Sequence, residues 1–217
     1  MALFEATDLH KRFGTQVVLE RISLRFEEGR LSGIMGPNGA GKTTCFNVLT
    51  GRYRPDGGRV VFDGNDITGM SPREIACRGL ARSFQVMNLF NDECAIDNIV
   101  IALPRVRAKE HTPARRLSYG ERRALEIGIA LAARPRLLFL DEPTAGLGVE
   151  GTARLAELVA ELKRQLTIVI IEHDMKFLFG LADRISVIHW GQVIAEGSPD
   201  ALRHNPWVQR SGLGAAA

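Results

Sequence analysis

Gly36-Pro37-Asn38-Gly39-Ala40-Gly41-Lys42-Thr43 satisfies the spacing G-x-x-x-x-G-K-[ST] at every position. The pattern has meaning only between a strand and a helix. It stands there: the apolar run 31–35 precedes it and a helical segment over 43–49 follows. In that setting glycines let backbone N–H groups turn inward as a nest for anions, and the helix N-terminus adds positive potential. Lys42 is placed to reach the β- and γ-phosphates of a nucleotide, and the Thr43 hydroxyl is a candidate Mg²⁺ ligand beside Thr44.

Working outward, 137–140, 168–171 and 185–189 are short, unbroken apolar runs, the pattern of parallel strands covered on both faces. Between them, 120–133 carries Leu125, Ile129 and Ala132 at helical spacing, and 151–164 carries Leu155, Leu158 and Leu162. Strand-then-helix alternation predicts an α/β core with a mostly parallel sheet. The opening third reads differently: 3–9, 17–26 and 59–62 look like strands joined by turns such as Asp56-Gly57-Gly58. We expect one domain over 1–217, with an antiparallel β subdomain from 1–30 and 52–70 and a small, mostly helical subdomain over 71–116.

Two further motifs belong to the same chemistry. The apolar run 137–140 delivers Asp141 and Glu142 at its C-terminal end, where open α/β sheets bind ligands. Asp141 would hold Mg²⁺ through water, and Glu142 would polarise an attacking water. Leu117-Ser118-Tyr119-Gly120-Glu121 by itself is a helix start, with Ser118 as N-cap and Glu121 at capping-box spacing.

At this pentapeptide the chain resembles the ABC ATPases, whose signature it occupies in altered form. The order of phosphate loop, Gln85, signature, Asp141-Glu142 and His173 follows that family along nearly the whole chain. The resemblance implies a P-loop NTPase core, ATP and Mg²⁺ as ligands, and roles for further residues. Phe13 would stack on adenine, unless it is a core phenylalanine. Gln85 would sense Mg²⁺ and the γ-phosphate. Ser118 and Gly120 would close over ATP held by a second protomer, in a homodimer or heterodimer, and His173 would be the switch histidine beside the catalytic Glu142. The segments around Ala81-Arg82-Ser83-Phe84-Gln85 and Glu172-His173-Asp174-Met175 look like the ATPase subunits of branched-chain amino acid importers. That implies permease subunits, a substrate-binding protein behind them, and a place on the cytoplasmic face of the inner membrane. The ATPases of lipid and lipopolysaccharide transporters are similar too.

Two departures stand out. Gly148 occupies a position where the family carries Asp or Asn, and the stretch between Asn98 and Leu117 is shorter than the family's helical subdomain. For the latter we expect an interrupted backbone between Leu103 and Thr112. The apolar segment 86–90, next to Gln85, is the expected docking surface for a membrane partner.

The bulk properties fit this picture. Of 217 residues, 45% are hydrophobic and 24% charged, which is ordinary for a globular core. The formal charge of +3 is spread along the chain, so a nucleic-acid partner is not expected. Cys45, Cys77 and Cys94 show neither metal spacing nor an even count, as in a reducing compartment. No signal peptide and no run of about 20 apolar residues is visible, so membrane crossing is left to other subunits. Three rivals remain: a soluble ABC ATPase acting on ribosomes or DNA, a small-molecule kinase with a phosphate loop, and a nucleotide-binding regulator without turnover.

Overall fold

The computed structural model describes residues 1–83 and 112–210. The expectations for Gln85, the docking segment 86–90 and the backbone of 103–111 lie outside the described residues.

Strands β1 (Ala2–Phe13), β2 (Gln16–Glu27), β4 (Gly57–Phe62) and β5 (Asn65–Asp66) form an antiparallel sheet in the order β2-β1-β4-β5. A second sheet runs β10-β9-β3-β8-β7-β6. It is built from β3 (Leu31–Met35), β6 (Leu80–Arg82), β7 (Leu137–Asp141), β8 (Thr167–Ile171), β9 (Arg184–His189) and β10 (Gln192–Gly197). All its pairings are parallel except β9 with β10, a hairpin at the edge.

The unbroken apolar runs have a direct explanation in this sheet. Successive side chains point to opposite faces, and both faces are covered. Along β7, Leu137 and Phe139 enter one core, while Leu138 and Leu140 enter the other. β8 divides in the same way, with Val169 and Ile171 on one side and Ile168 and Ile170 on the other.

The first core lies between the two sheets and takes in α1 (Lys42–Leu49). Phe139 is its hub, with ring centroids 5.6 Å from Phe4, 5.9 Å from Phe26 and 5.9 Å from Phe46. The second core packs α3 (Tyr119–Ala132), α4 (Val149–Leu162) and α5 (Met175–Leu181) on the opposite face. Short helices α2 (Pro72–Ala76), α6 (Pro199–Arg203) and α7 (Pro206–Arg210) complete the described chain.

One sequence-based assignment is corrected. Leu80–Arg82, placed in the helical insertion by its position in the chain, is the edge strand β6, paired in parallel with β7. Three residues are too short for a periodic signal; their place is decided by backbone bonds to a strand more than fifty residues away.

Candidate active site

Because β3, β6, β7 and β8 run parallel, their C-terminal ends meet at one edge of the sheet. The ladder continues past the strand ends. Glu142 N–H donates to Ile171 O (2.8 Å) and Glu172 N–H to Ile34 O (3.1 Å). This brings the start of the phosphate loop, the acidic pair and the His173 loop side by side.

The phosphate loop needs its glycines for two different reasons. A Cβ on Gly36 would lie 2.1 Å from Ile188 O, so the approach to β9 excludes any side chain. Gly39 and Gly41 take φ +79° and +98°, the left-handed region that turns backbone N–H groups inward. Ala40 is buried, while Asn38 and Gly39 are exposed at the crest and Thr43 is exposed at the first turn of α1, with Thr44 half-buried behind it. Lys42 is buried, and its Nζ donates to Gly36 O (2.8 Å) and Pro37 O (2.9 Å). Burial pulls its pKa down, and the carboxylates of Glu142, Asp141 and Glu172 pull it back up. A cation held this way, on two carbonyls and facing three acids, can exchange the carbonyls for phosphate oxygens.

Asp141 ends β7 at 2% exposure, and its Oδ1 has no hydrogen-bond partner. Its backbone N–H donates to Ser83 Oγ (3.2 Å). Desolvation, then the neighbouring Glu142, pushes its pKa up to about 6. Glu142 follows in the left-handed region at φ +43°, uncommon for a residue with a side chain. Such strain costs of order 1–3 kcal/mol and persists only where surrounding contacts over-determine it. Arg123 supplies those contacts. From α3, buried at 3% exposure, its guanidinium donates to Asp141 O (2.9 Å), Glu142 O (3.0 Å) and Pro143 O (3.3 Å), and pairs with Glu126 at 2.6 Å.

The signature helix begins as its sequence predicts. Ser118 Oγ accepts from Glu121 N–H (3.3 Å), and the Glu121 carboxylate accepts from Ser118 N–H (2.9 Å). Ser118 is exposed, and Gly120 faces Leu147. Tyr119 packs over Gly146, where a Cβ would come within 3.0 Å of its ring. Gly148 is the N-cap of α4 without a side-chain cap, in open space.

His173 is exposed, with Nδ1 3.9 Å from Glu142 Oε1 and 3.7 Å from Glu172 Oε2. Phe13, 46% exposed at the β1–β2 turn, is not a core phenylalanine; its ring meets Tyr53 edge-on at 5.5 Å. The structure therefore gathers Gly36 to Thr43, Asp141, Glu142 and His173 at one edge.

A family model described as ABC transporter matches residues 19–145. The chain belongs to that family. It is 36% identical, over 99% of its length and 98% of the relative, to a high-affinity branched-chain amino acid transport ATP-binding protein of Pseudomonas aeruginosa. The same figures hold for the corresponding protein of Escherichia coli. A lipopolysaccharide export ATP-binding protein of Acidithiobacillus ferridurans is 32% identical over 98% of this chain and 97% of the relative. Among solved structures, a nucleotide-free ATP-binding cassette from an ABC transporter superposes with a TM-score of 0.90 at 28% identity, covering 98% of this chain and 99% of that one. The ADP conformation of such a cassette gives the same TM-score. The alignment with the Pseudomonas relative spans 251 positions against 217 residues here, so at least 34 positions have no counterpart in this chain.

The chain is thus an ABC ATPase, which hydrolyses ATP to drive transport. Among the described residues no helix is long and apolar enough to cross a membrane.

Several residues of the site escaped the sequence reading. Arg123 and Glu126 left one trace, charges three apart inside an otherwise apolar helical face. Arg82 stood in the sequence reading only as part of the segment 81–85, with no role of its own: its guanidinium bonds Asn47 Oδ1 (3.2 Å) on α1 and Thr50 Oγ1 (2.7 Å) just past its end, and lies 4.4 Å from the Phe46 ring centroid. Thr144 and Glu172 were also missed.

Proposed function

We propose that this ATPase powers the import of branched-chain or related amino acids or amides, through permease subunits fed by a substrate-binding protein, from the cytoplasmic face of the membrane. The observation that carries the catalytic reading is the convergence of Lys42, Asp141, Glu142 and His173 at one sheet edge. The two 36%-identical relatives support the substrate class, and the 32%-identical lipopolysaccharide export protein keeps lipid transport as the second reading.

In this reading Lys42 leaves the carbonyls of Gly36 and Pro37 for the β- and γ-phosphates. The inward N–H groups of the loop hold the remaining oxygens, and Phe13 covers adenine. Glu142 accepts a hydrogen bond from water and takes its proton as the water oxygen bonds to the γ-phosphorus. The bond to the bridging oxygen breaks, leaving ADP and phosphate. His173, next to Glu142, holds the γ-phosphate oxygens. The donor set fits Mg²⁺, which prefers oxygen ligands: a buried carboxylate oxygen of Asp141 without a partner, with the exposed Thr43 hydroxyl on the phosphate loop. Bound there, Mg²⁺ would neutralise phosphate charge. Ser118 and Gly120, on an open helix start, serve ATP held by the second protomer of a head-to-tail dimer.

Glu142→Gln tests the assignment. ATP binding should persist while turnover falls by about 10²-fold or more, since only the base is lost; near-normal turnover sinks it. Identifying the membrane subunits that co-purify with the chain tests the transport class. A branched-chain amino acid permease supports the proposal, and a lipopolysaccharide export partner replaces it with the second reading.

A further inference from the structure

We propose that Glu172 is a positioning residue that, through Thr144, ties the Glu142 turn and the His173 loop into a single unit. This rests on the reading of Glu142 as the hydrolytic base.

Glu172 is completely buried, at 0% exposure. Its two carboxylate oxygens serve two different loops. Oε1 accepts from Thr144, from its N–H at 2.9 Å and from its hydroxyl in a short bond. Oε2 accepts from the backbone N–H groups of His173 (2.9 Å) and Asp174 (3.2 Å). Thr144 lies two residues after Glu142, in the turn whose Glu142 and Pro143 carbonyls Arg123 holds. Burying an ionised carboxylate costs several kcal/mol unless its oxygens are satisfied. A position needed only to fill space would be apolar, like its neighbours Ile170 and Ile171. Here the carboxylate spends each of its hydrogen bonds on one or other catalytic loop, and the His173 ring stands within 4 Å of both acids, 3.9 Å from Glu142 and 3.7 Å from Glu172. A displacement of the His173 loop is therefore delivered to the Glu142 turn instead of being absorbed between them. Glu172 itself makes no contact with reacting atoms in this role.

A plainer role would be to satisfy the two N–H groups that follow β8. That role needs only Oε2, so Thr144 separates the two accounts. Thr144 is 8% exposed, and Thr144→Val keeps its shape while removing the hydroxyl. In the full chain, Thr144→Val should lower kcat about tenfold, as loss of an orienting partner does. ATP KM should stay within about twofold, since the phosphate ligands are untouched. Thr144→Ser should restore kcat. In a His173→Ala background, Thr144→Val should cost less than about twofold, because both changes break the same unit. Amide hydrogen exchange supplies a readout independent of turnover: Thr144→Val should speed exchange in 142–145 and in 172–174 together. Unchanged kcat, a loss carried by KM, additivity with His173→Ala, or exchange confined to 142–145 would each overturn the proposal. Glu142→Gln runs in parallel. If that variant keeps turnover, the assignment of the base fails; if it is inactive while Thr144→Val turns over normally, only the Glu172 link fails.

Discussion

Asp141→Asn should make the nucleotide-free protein more stable while abolishing its function. The carboxyl sits at 2% exposure with one oxygen unbonded, and its pKa rises from 3.8 to about 6. Desolvation is the main cause and the charge of Glu142 the second, against opposing pulls from Arg82 and Arg123. A rise of about two units, at about 1.4 kcal/mol each, penalises the ionised form by about 3 kcal/mol at neutral pH. The amide removes the charge but still leaves a buried polar group to satisfy, so the net gain should be about 1–2 kcal/mol. In a chain of this size that raises Tm by roughly 2–8 °C. The sign fixes the pH dependence. A carboxyl with a raised pKa destabilises the fold fully above about 6, progressively less as pH falls toward 3.8, and not at all below. The assay is thermal unfolding of both proteins without nucleotide, at pH 7.5 and near pH 4. Asp141→Asn should melt higher at pH 7.5, and the gap should close near pH 4. Added Mg²⁺ and nucleotide should protect the parent protein more than the variant, as ligand linkage requires. A variant that melts lower at pH 7.5, or a gap unchanged at pH 4, refutes the claim that this site holds an unfavourable charge in readiness for a cation.

Arg123→Met should destabilise the protein by about 3–5 kcal/mol in denaturant unfolding, because it removes one partner of the buried ion pair with Glu126 and the donors to the Asp141, Glu142 and Pro143 carbonyls; a change under 1 kcal/mol would show that the guanidinium does not hold the Glu142 turn. Gly36→Ala and Gly39→Ala should differ sharply in the same measurement. The first drives a methyl to 2.1 Å from Ile188 O and should prevent the loop from forming, while the second meets open space at φ +79° and should cost about 1–2 kcal/mol. Equal effects would mean that the loop's closeness to β9 is not what demands glycine.

Much of this molecule was legible one motif at a time. The phosphate loop could be read because its chemistry is mostly backbone chemistry. Glycine spacing, Lys42 and the flanking apolar run contain what an anion nest requires, whatever lies elsewhere in the chain. The acidic pair was readable for a similar reason, as two charges ending a run too apolar to face water. Ser118 and Glu121 were readable as a capping box because they bond each other across three residues. What these signals share is range: each is satisfied within one turn or one strand end.

Other features depend on partners far away in sequence, and no local pattern records them. β6 is a strand because β7 offers it a parallel ladder, and Arg82 is half-buried because Phe46 and Asn47 on α1 and Thr50 just past its end gather round its guanidinium. Glu172 read as a charge beside a histidine, yet its carboxylate closes a bridge to Thr144, 28 residues back. Residue types and periodicity settled which chemistry is available, because those are properties of single segments. Which side chains hold the catalytic turn in its left-handed form was settled only by the parallel packing of β3, β8 and β7, since a buried charge is tolerable only where the fold brings its donors to it.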